Sequence, residues 1–118
     1  MCRTGFAGLL CHPQVMEIVR HGRTLMLSGD FDVRTTSEVR GAINEHLARC
    51  GEGVVFIDMS KVGAVDVTAL RVLAAASQRA TARGQQMTLR GCGPAVRRML
   101  HLSHLIRVID VERAAVTA

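Results

Sequence analysis

Three carboxylates stand next to β-prone runs in this chain: Asp30 and Asp32 in Gly29-Asp30-Phe31-Asp32, and Asp58 after Val54-Val55-Phe56-Ile57. At the carboxyl ends of neighbouring strands, where open α/β sheets gather ligands, such a trio could hold Mg²⁺ and let Asp58 accept a phosphoryl group. The pattern is incomplete for that chemistry. It lacks an acidic pair after the first strand and a lysine after the last, and the only lysine is Lys61. The plainer use of these side chains is as solvated loop carboxylates and helix caps.

A second constellation is Val65-Asp66-Val67-Thr68-Ala69-Leu70. Asp66 precedes a helical pattern, where a carboxylate accepts unpaired N–H groups and opposes the positive end of the helix dipole. Thr68 falls in the first turn. A phosphate placed there would meet the same amides and add about −1.5 to −2 charge to a neutral or apolar surface. That charge would repel a partner docked on Val65, Val67 and the start of the helix. The competing use of Thr68 is simply to back up the cap.

Other chemistry finds little footing. There is no GxSxG elbow, Walker A loop or GxGxxG. His12, His21, His46, His101 and His104 are scattered. The four cysteines, Cys2, Cys11, Cys50 and Cys92, show no paired CxxC spacing. They read as reduced, buried or incidental thiols, with a Cys50–Cys92 redox pair as the alternative. No enzyme activity, cofactor or resident metal is expected.

Composition sets the frame. The 118 residues, 48% of them hydrophobic, make one domain with a real core, and disorder is excluded as the overall state. The three aromatics, Phe6, Phe31 and Phe56, are too few for a single-stranded nucleic-acid platform. The net charge of +5 is uneven: residues 71–118 hold eight arginines against Asp110 and Glu112. Such asymmetry fits an acidic partner better than a nucleic acid, for no groove-reading motif accompanies it. No apolar run reaches the ~20 residues of a membrane span, and a cytoplasmic protein is expected.

The elements that must position these residues follow from periodicity. Residues 1–14 read as a loose leader and 15–118 as the domain. Val15–Arg20 and Thr24–Ser28 read as strands joined by the turn His21-Gly22-Arg23, with 29–32 a loop. Thr35 and Glu38 form a capping-box pattern opening a helix whose stripe is Val39, Ala42, Ile43, Leu47 and Ala48, ended by Gly51. Val54–Ile57 is continuous and apolar, as in a strand covered on both faces, and 59–66 reads as a loop. A second helix fits Thr68–Arg83, with Leu70, Leu73, Ala74 and Ser77 inward. Met87–Arg90 alternates as a strand. Gly93-Pro94 opens a third helix with Val96, Met99 and Leu100 inward, and Ile106–Ile109 reads as the last strand. After Val111 at most two helical turns fit. Strands alternating with helices imply an α/β fold with a mainly parallel sheet behind an N-terminal hairpin.

From about Val15 to Val111 the chain resembles the STAS domain of bacterial anti-sigma factor antagonists. Leu25-Met26-Leu27-Ser28-Gly29-Asp30-Phe31-Asp32 is similar to the family's "GELD" strand and loop, and Val55–Ser60 to its "vvlDls" strand. Val65–Leu70 resembles its "iDSsGl" phosphorylation loop, and Gly91–Leu105 its "g..p.v...l...gl" segment. The resemblance implies a binding switch that captures an anti-sigma factor, commonly a serine/threonine kinase, and so frees a sigma factor for transcription. Phosphorylation of a loop hydroxyl blocks that complex in the family. Carried over by position, Asp66 matches the family's Asp, Val67 falls on the usual phosphoserine, Thr68 on the second serine, and Ala69 on the glycine. Valine has no oxygen to modify, so either Thr68 is the acceptor or this loop is not switched by phosphate. The expected contact comprises Asp32, Val65, Asp66, Val67, Thr68, Ala69 and Arg71, with room for a homodimer and with neither nucleic acid nor membrane as direct partner. Two alternatives stand beside it: a STAS subunit of a lipid or anion transporter, and a nucleotide-binding module built on Asp30, Asp32 and Asp58.

Overall fold

Gly22, at φ 63°, takes the left-handed conformation that a two-residue hairpin turn demands. It joins β1 (Glu17–His21) to β2 (Thr24–Phe31) in antiparallel register, from Glu17 opposite Ser28 to His21 opposite Thr24. The computed structural model describes residues 16–112. The whole expected leader, 1–14, with Cys2, Cys11 and His12, lies outside them, as does the tail beyond Glu112. After the hairpin come α1 (Thr36–Arg49), β3 (Gly53–Val65), α2 (Val67–Ala82), β4 (Gln85–Arg90), α3 (Pro94–Leu102), a 3-10 turn (Leu105–Arg107) and β5 (Asp110–Val111).

The sheet order is β1-β2-β3-β4-β5, and every pair after the first is parallel. Crossovers that all advance in one direction place α1, α2 and α3 on the same face when each is right-handed. Burial agrees. Leu25 and Leu27 of β2, Val55, Ile57 and Met59 of β3, and Met87 and Leu89 of β4 are buried against the helices. The strand expected to be covered on both faces is covered on one. Its alternate residue Val54 is 38% exposed, and Phe56 lies half-buried beneath the Arg90 guanidinium, 3.8 Å from the ring centroid.

Two further expectations fail at strand ends. β2 continues through Phe31, and β3 runs to Val65 rather than stopping before a loop at 59–66. Two register shifts in β3 explain this. Met26 pairs with Asp58, Ser28 with Lys61 and Phe31 with Val65, so β3 bulges past β2 twice while staying hydrogen-bonded. Pairing with β4 ends at Asp58–Arg90. The outer half of β3 is therefore a two-stranded ribbon, and such a ribbon tolerates Ser60, Lys61 and Gly63 facing water. At the other end, Ile106–Ile109 is not a strand. His104 takes φ 64° after α3, and the N–H groups of Val108 and Ile109 both return to the carbonyl of Leu105. Asp110 and Val111 pair with β4, and the Glu112 amide donates to the Leu89 carbonyl at 2.8 Å.

Helix ends also depart from the sequence pattern. Thr35 makes no capping hydrogen bond to α1. Its hydroxyl donates to the Asp30 carbonyl at 3.0 Å and accepts from the Asp32 amide at 3.2 Å, which braces the β2–α1 loop. Gly51 does not terminate α1. Cys50 is already extended there, and the Gln85 side-chain amide donates to the carbonyls of Leu47 and Cys50 at 2.9 and 2.8 Å. Ala48 is exposed, whereas His46 fills the core-facing stripe. Its Nδ1 accepts from Arg20 Nε at 3.0 Å, so the proton sits on Nε2 and is donated to the Arg23 carbonyl. Burial holds the His46 pKa below its ordinary value.

Candidate functional site

The N-terminus of α2 is built where β3 leaves the sheet. Asp66, extended at φ −112° and ψ 178°, caps the helix: its Oδ1 accepts from the Ala69 amide at 2.9 Å. Its second oxygen accepts from the Val33 amide at 3.1 Å. One carboxylate thus ties the start of α2 to the β2–α1 loop. That bond brings together the sequence-expected residues Asp32, Asp66 and Val67, and adds Val33, which is 65% exposed.

The remaining expected residues fall into distinct places. Val65 is half-buried and pairs with Phe31. Val67 is 46% exposed at the first helical position, and Thr68 beside it is exposed. Arg71 is exposed one turn further on, the spacing that puts it above Val67 on the helix surface. Ala69 is fully buried and enters the site only through its amide. Asp32 is bound to Arg34 at 2.6 Å, and this side-chain hydrogen bond holds its pKa below the ordinary aspartate value.

The three-carboxylate phosphoryl site does not assemble. Asp30 accepts from the Ala64 amide at 3.0 Å, Asp32 is held by Arg34, and Asp58 accepts from the Ser60 amide and hydroxyl at 2.8 and 2.6 Å. Asp32 and Asp58 brace their own turns, and Asp30 ties β2 to β3. Among the described residues no three His, Cys, Asp or Glu side chains gather at metal-binding range. The Cys50–Cys92 pair fails as well. Cys50 touches Gln85 at one end of β4 and Cys92 follows the other end, so roughly 20 Å of strand separates them, against the ~7 Å limit for Cα atoms of a disulfide.

Sequence reasoning missed an apolar depression of ≈ 270 Å³ beside Val67, lined by Met99, Leu102 and Ser103. Leu102 is 73% exposed. The available signal was its position off the Val96, Met99, Leu100 stripe: an apolar residue on the wrong face of α3.

The family model described as "Mlab, STAS domain" matches residues 16–110, and the chain belongs to this STAS domain family. No curated protein matches it in sequence. Among solved structures it is similar to an anti-sigma factor antagonist from Mycobacterium paratuberculosis, with TM-score 0.70, 23% identity, and 86% of each chain covered. It is also similar to the Bacillus antagonist SpoIIAA in its unphosphorylated form, with TM-score 0.64, 13% identity, and coverage of 85% of this chain and 90% of that one. A sulfate transporter family protein from Wolinella succinogenes matches with TM-score 0.62 and 19% identity over 86% of each chain. These identities establish the shared fold. Among the described residues no helix is long and apolar enough to cross a membrane.

Proposed function

We propose that this chain is an anti-sigma factor antagonist: a cytoplasmic, non-catalytic module that binds a kinase-type anti-sigma factor and releases a sigma factor. The contact is centred on Val67 and Thr68 and framed by Asp32, Val65, Asp66 and Arg71. The observation that carries this reading is an exposed valine, 46% accessible, at the first position of α2, where the family places its phosphoserine. A capped helix start with an apolar tip buries well against a partner, and a charge there would oppose burial. Val67 cannot take phosphate, so Thr68 is the one exposed hydroxyl of this loop that a partner kinase could modify.

The test is titration with the kinase-type anti-sigma factor encoded nearest this gene, with and without ATP, followed by mass mapping. Tight binding supports the reading, and phosphate on Thr68 with weakened binding gives the family switch. Absence of binding overturns it. The family description and the transporter neighbour favour a second reading, a STAS subunit of a lipid or anion transporter. That reading predicts co-purification with a membrane complex instead.

A further inference from the structure

The depression between the first turn of α2 and the last turn of α3 sits in unusual electrostatic surroundings. Of the seven arginines between Val67 and Arg107, Arg71 and Arg98 stand on the helix turns that line it, whereas Arg79 and Arg83 belong to the far end of α2 and Arg90 pairs with Glu112. Neither α2 nor α3 has an acidic residue in its first turn. Arg71 follows Val67 by one helical turn and Arg98 is the neighbour of Met99; both are exposed, and neither forms an ion pair among the described residues. Asp66, next to Val67, accepts from the Ala69 and Val33 amides and is the acid at the α2 end of the depression.

We infer that this depression receives an acidic amphipathic segment of a partner protein, with one apolar side chain seated among Val67, Met99 and Leu102 and carboxylates beside Arg71 and Arg98. The inference rests on the docking role of Val67 given above and extends the contact to α3. Apolar contact supplies affinity, and the cationic rim steers encounter and fixes orientation. Two other anionic partners fit less well. Single-stranded nucleic acid needs aromatic platforms, yet of the two aromatics among the described residues Phe31 is buried and Phe56 lies beneath Arg90. An anionic membrane needs an apolar stripe along a whole helix, and here the apolar surface is confined to two helix ends.

The probes are two peptides of about 14 residues with leucines at i, i+3, i+4 and i+7, one carrying glutamates at the remaining positions and one carrying lysines. Titrated into the ¹⁵N-labelled chain, the glutamate peptide shifts the amides of Val67, Met99, Leu102 and Ser103 saturably, and more weakly as salt rises. The lysine peptide binds at least ~10-fold more weakly. Leu102→Glu and Arg98→Glu, both at exposed positions that leave the core intact, each cost at least ~10-fold. Equal binding of both peptides, shifts confined to other surfaces, or shifts seen only with phosphatidylglycerol vesicles or single-stranded DNA overturn the inference. If Val67→Glu abolishes anti-sigma binding while Leu102→Glu leaves it unchanged, the antagonist reading stands and this one falls. Site-specific peptide binding without anti-sigma binding does the reverse.

Discussion

Asp66 accepts the amide of Val33 at 3.1 Å, a contact across 33 residues of chain that fastens the tip of the β2–α1 loop to the start of α2. The same carboxylate caps α2 through Ala69. Loss of the side chain therefore removes two hydrogen bonds from two different elements. Asp66→Ala is expected to lower stability by about 1–2 kcal/mol, within the usual range for a lost N-cap. Asp66→Asn, which keeps an acceptor for Ala69, should lose less than half of that. Urea unfolding of the three proteins checks both, and an unchanged midpoint for Asp66→Ala would show that neither bond matters.

His46 is buried neutral, with Arg20 donating to one ring nitrogen and the Arg23 carbonyl receiving the proton of the other. A second proton would enter between two arginines. Arg20 and Arg23 oppose that charge, Arg49 and Glu45 pair with each other beside the depression that His46 also lines, and Cys50 is close by. Because burial depresses the folded-state pKa, the unfolded chain binds the extra proton first. Stability is full above the unfolded value near 6.5 and falls as pH drops through it towards the lower folded pKa. Denaturation curves from pH 8 to pH 5 should show this slope, and His46→Gln should flatten it. A slope unchanged by the substitution contradicts the assignment.

Gly91 packs against Ser60 at the first bulge of β3. Its φ is +74°, and a Cβ there would lie 2.8 Å from the Ser60 Cβ and 3.1 Å from Ser60 backbone atoms. Strain and clash act together, so Gly91→Ala should cost at least ~1 kcal/mol. A thermal melt of the purified variant reads it directly. A melting temperature equal to wild type would mean that β3 shifts freely at this point.

Cys92 is buried, and its thiol is pushed up to about 11 by desolvation. In the native protein at pH 8 it should alkylate at least ~10-fold more slowly than an unperturbed thiol of pKa ~8.5. Peptide mapping after iodoacetamide reports this residue by residue. Diamide treatment should yield no Cys50–Cys92 crosslink, and finding one would contradict the placement of the two cysteines at opposite ends of β4.

Much of the fold was legible because apolar periodicity is a local signal. The α2 stripe of Leu70, Leu73, Ala74 and Ser77 is buried as the spacing requires, and Pro94 does stand in the first turn of α3. What escaped the sequence depends on partners far along the chain. Residues 59–65 look like a loop because Ser60, Lys61 and Gly63 are polar or small, yet pairing to β2 alone makes them a strand. Thr35 and Glu38 match a capping box, but the Thr35 hydroxyl is drawn away by the Asp30 carbonyl. Gln85, 34 residues beyond Gly51, closes α1 in the glycine's place. At the site, Asp66, Val67 and Thr68 could be found from spacing, whereas Met99 and Leu102 join them only through tertiary packing.

The central claim is that the uncharged tip of α2 at Val67 is the docking contact, and Val67→Glu addresses it most directly. The side chain is 46% exposed, so the substitution leaves the core in place, while in a complex it puts a carboxylate into an apolar contact and draws Arg71, one turn on, away from the partner. Calorimetric titration against the kinase-type anti-sigma factor should show binding weakened by more than ~2 kcal/mol, about 30-fold, with the unfolding midpoint retained. Equal affinity of the variant and the wild-type chain would place the contact elsewhere and contradict the account.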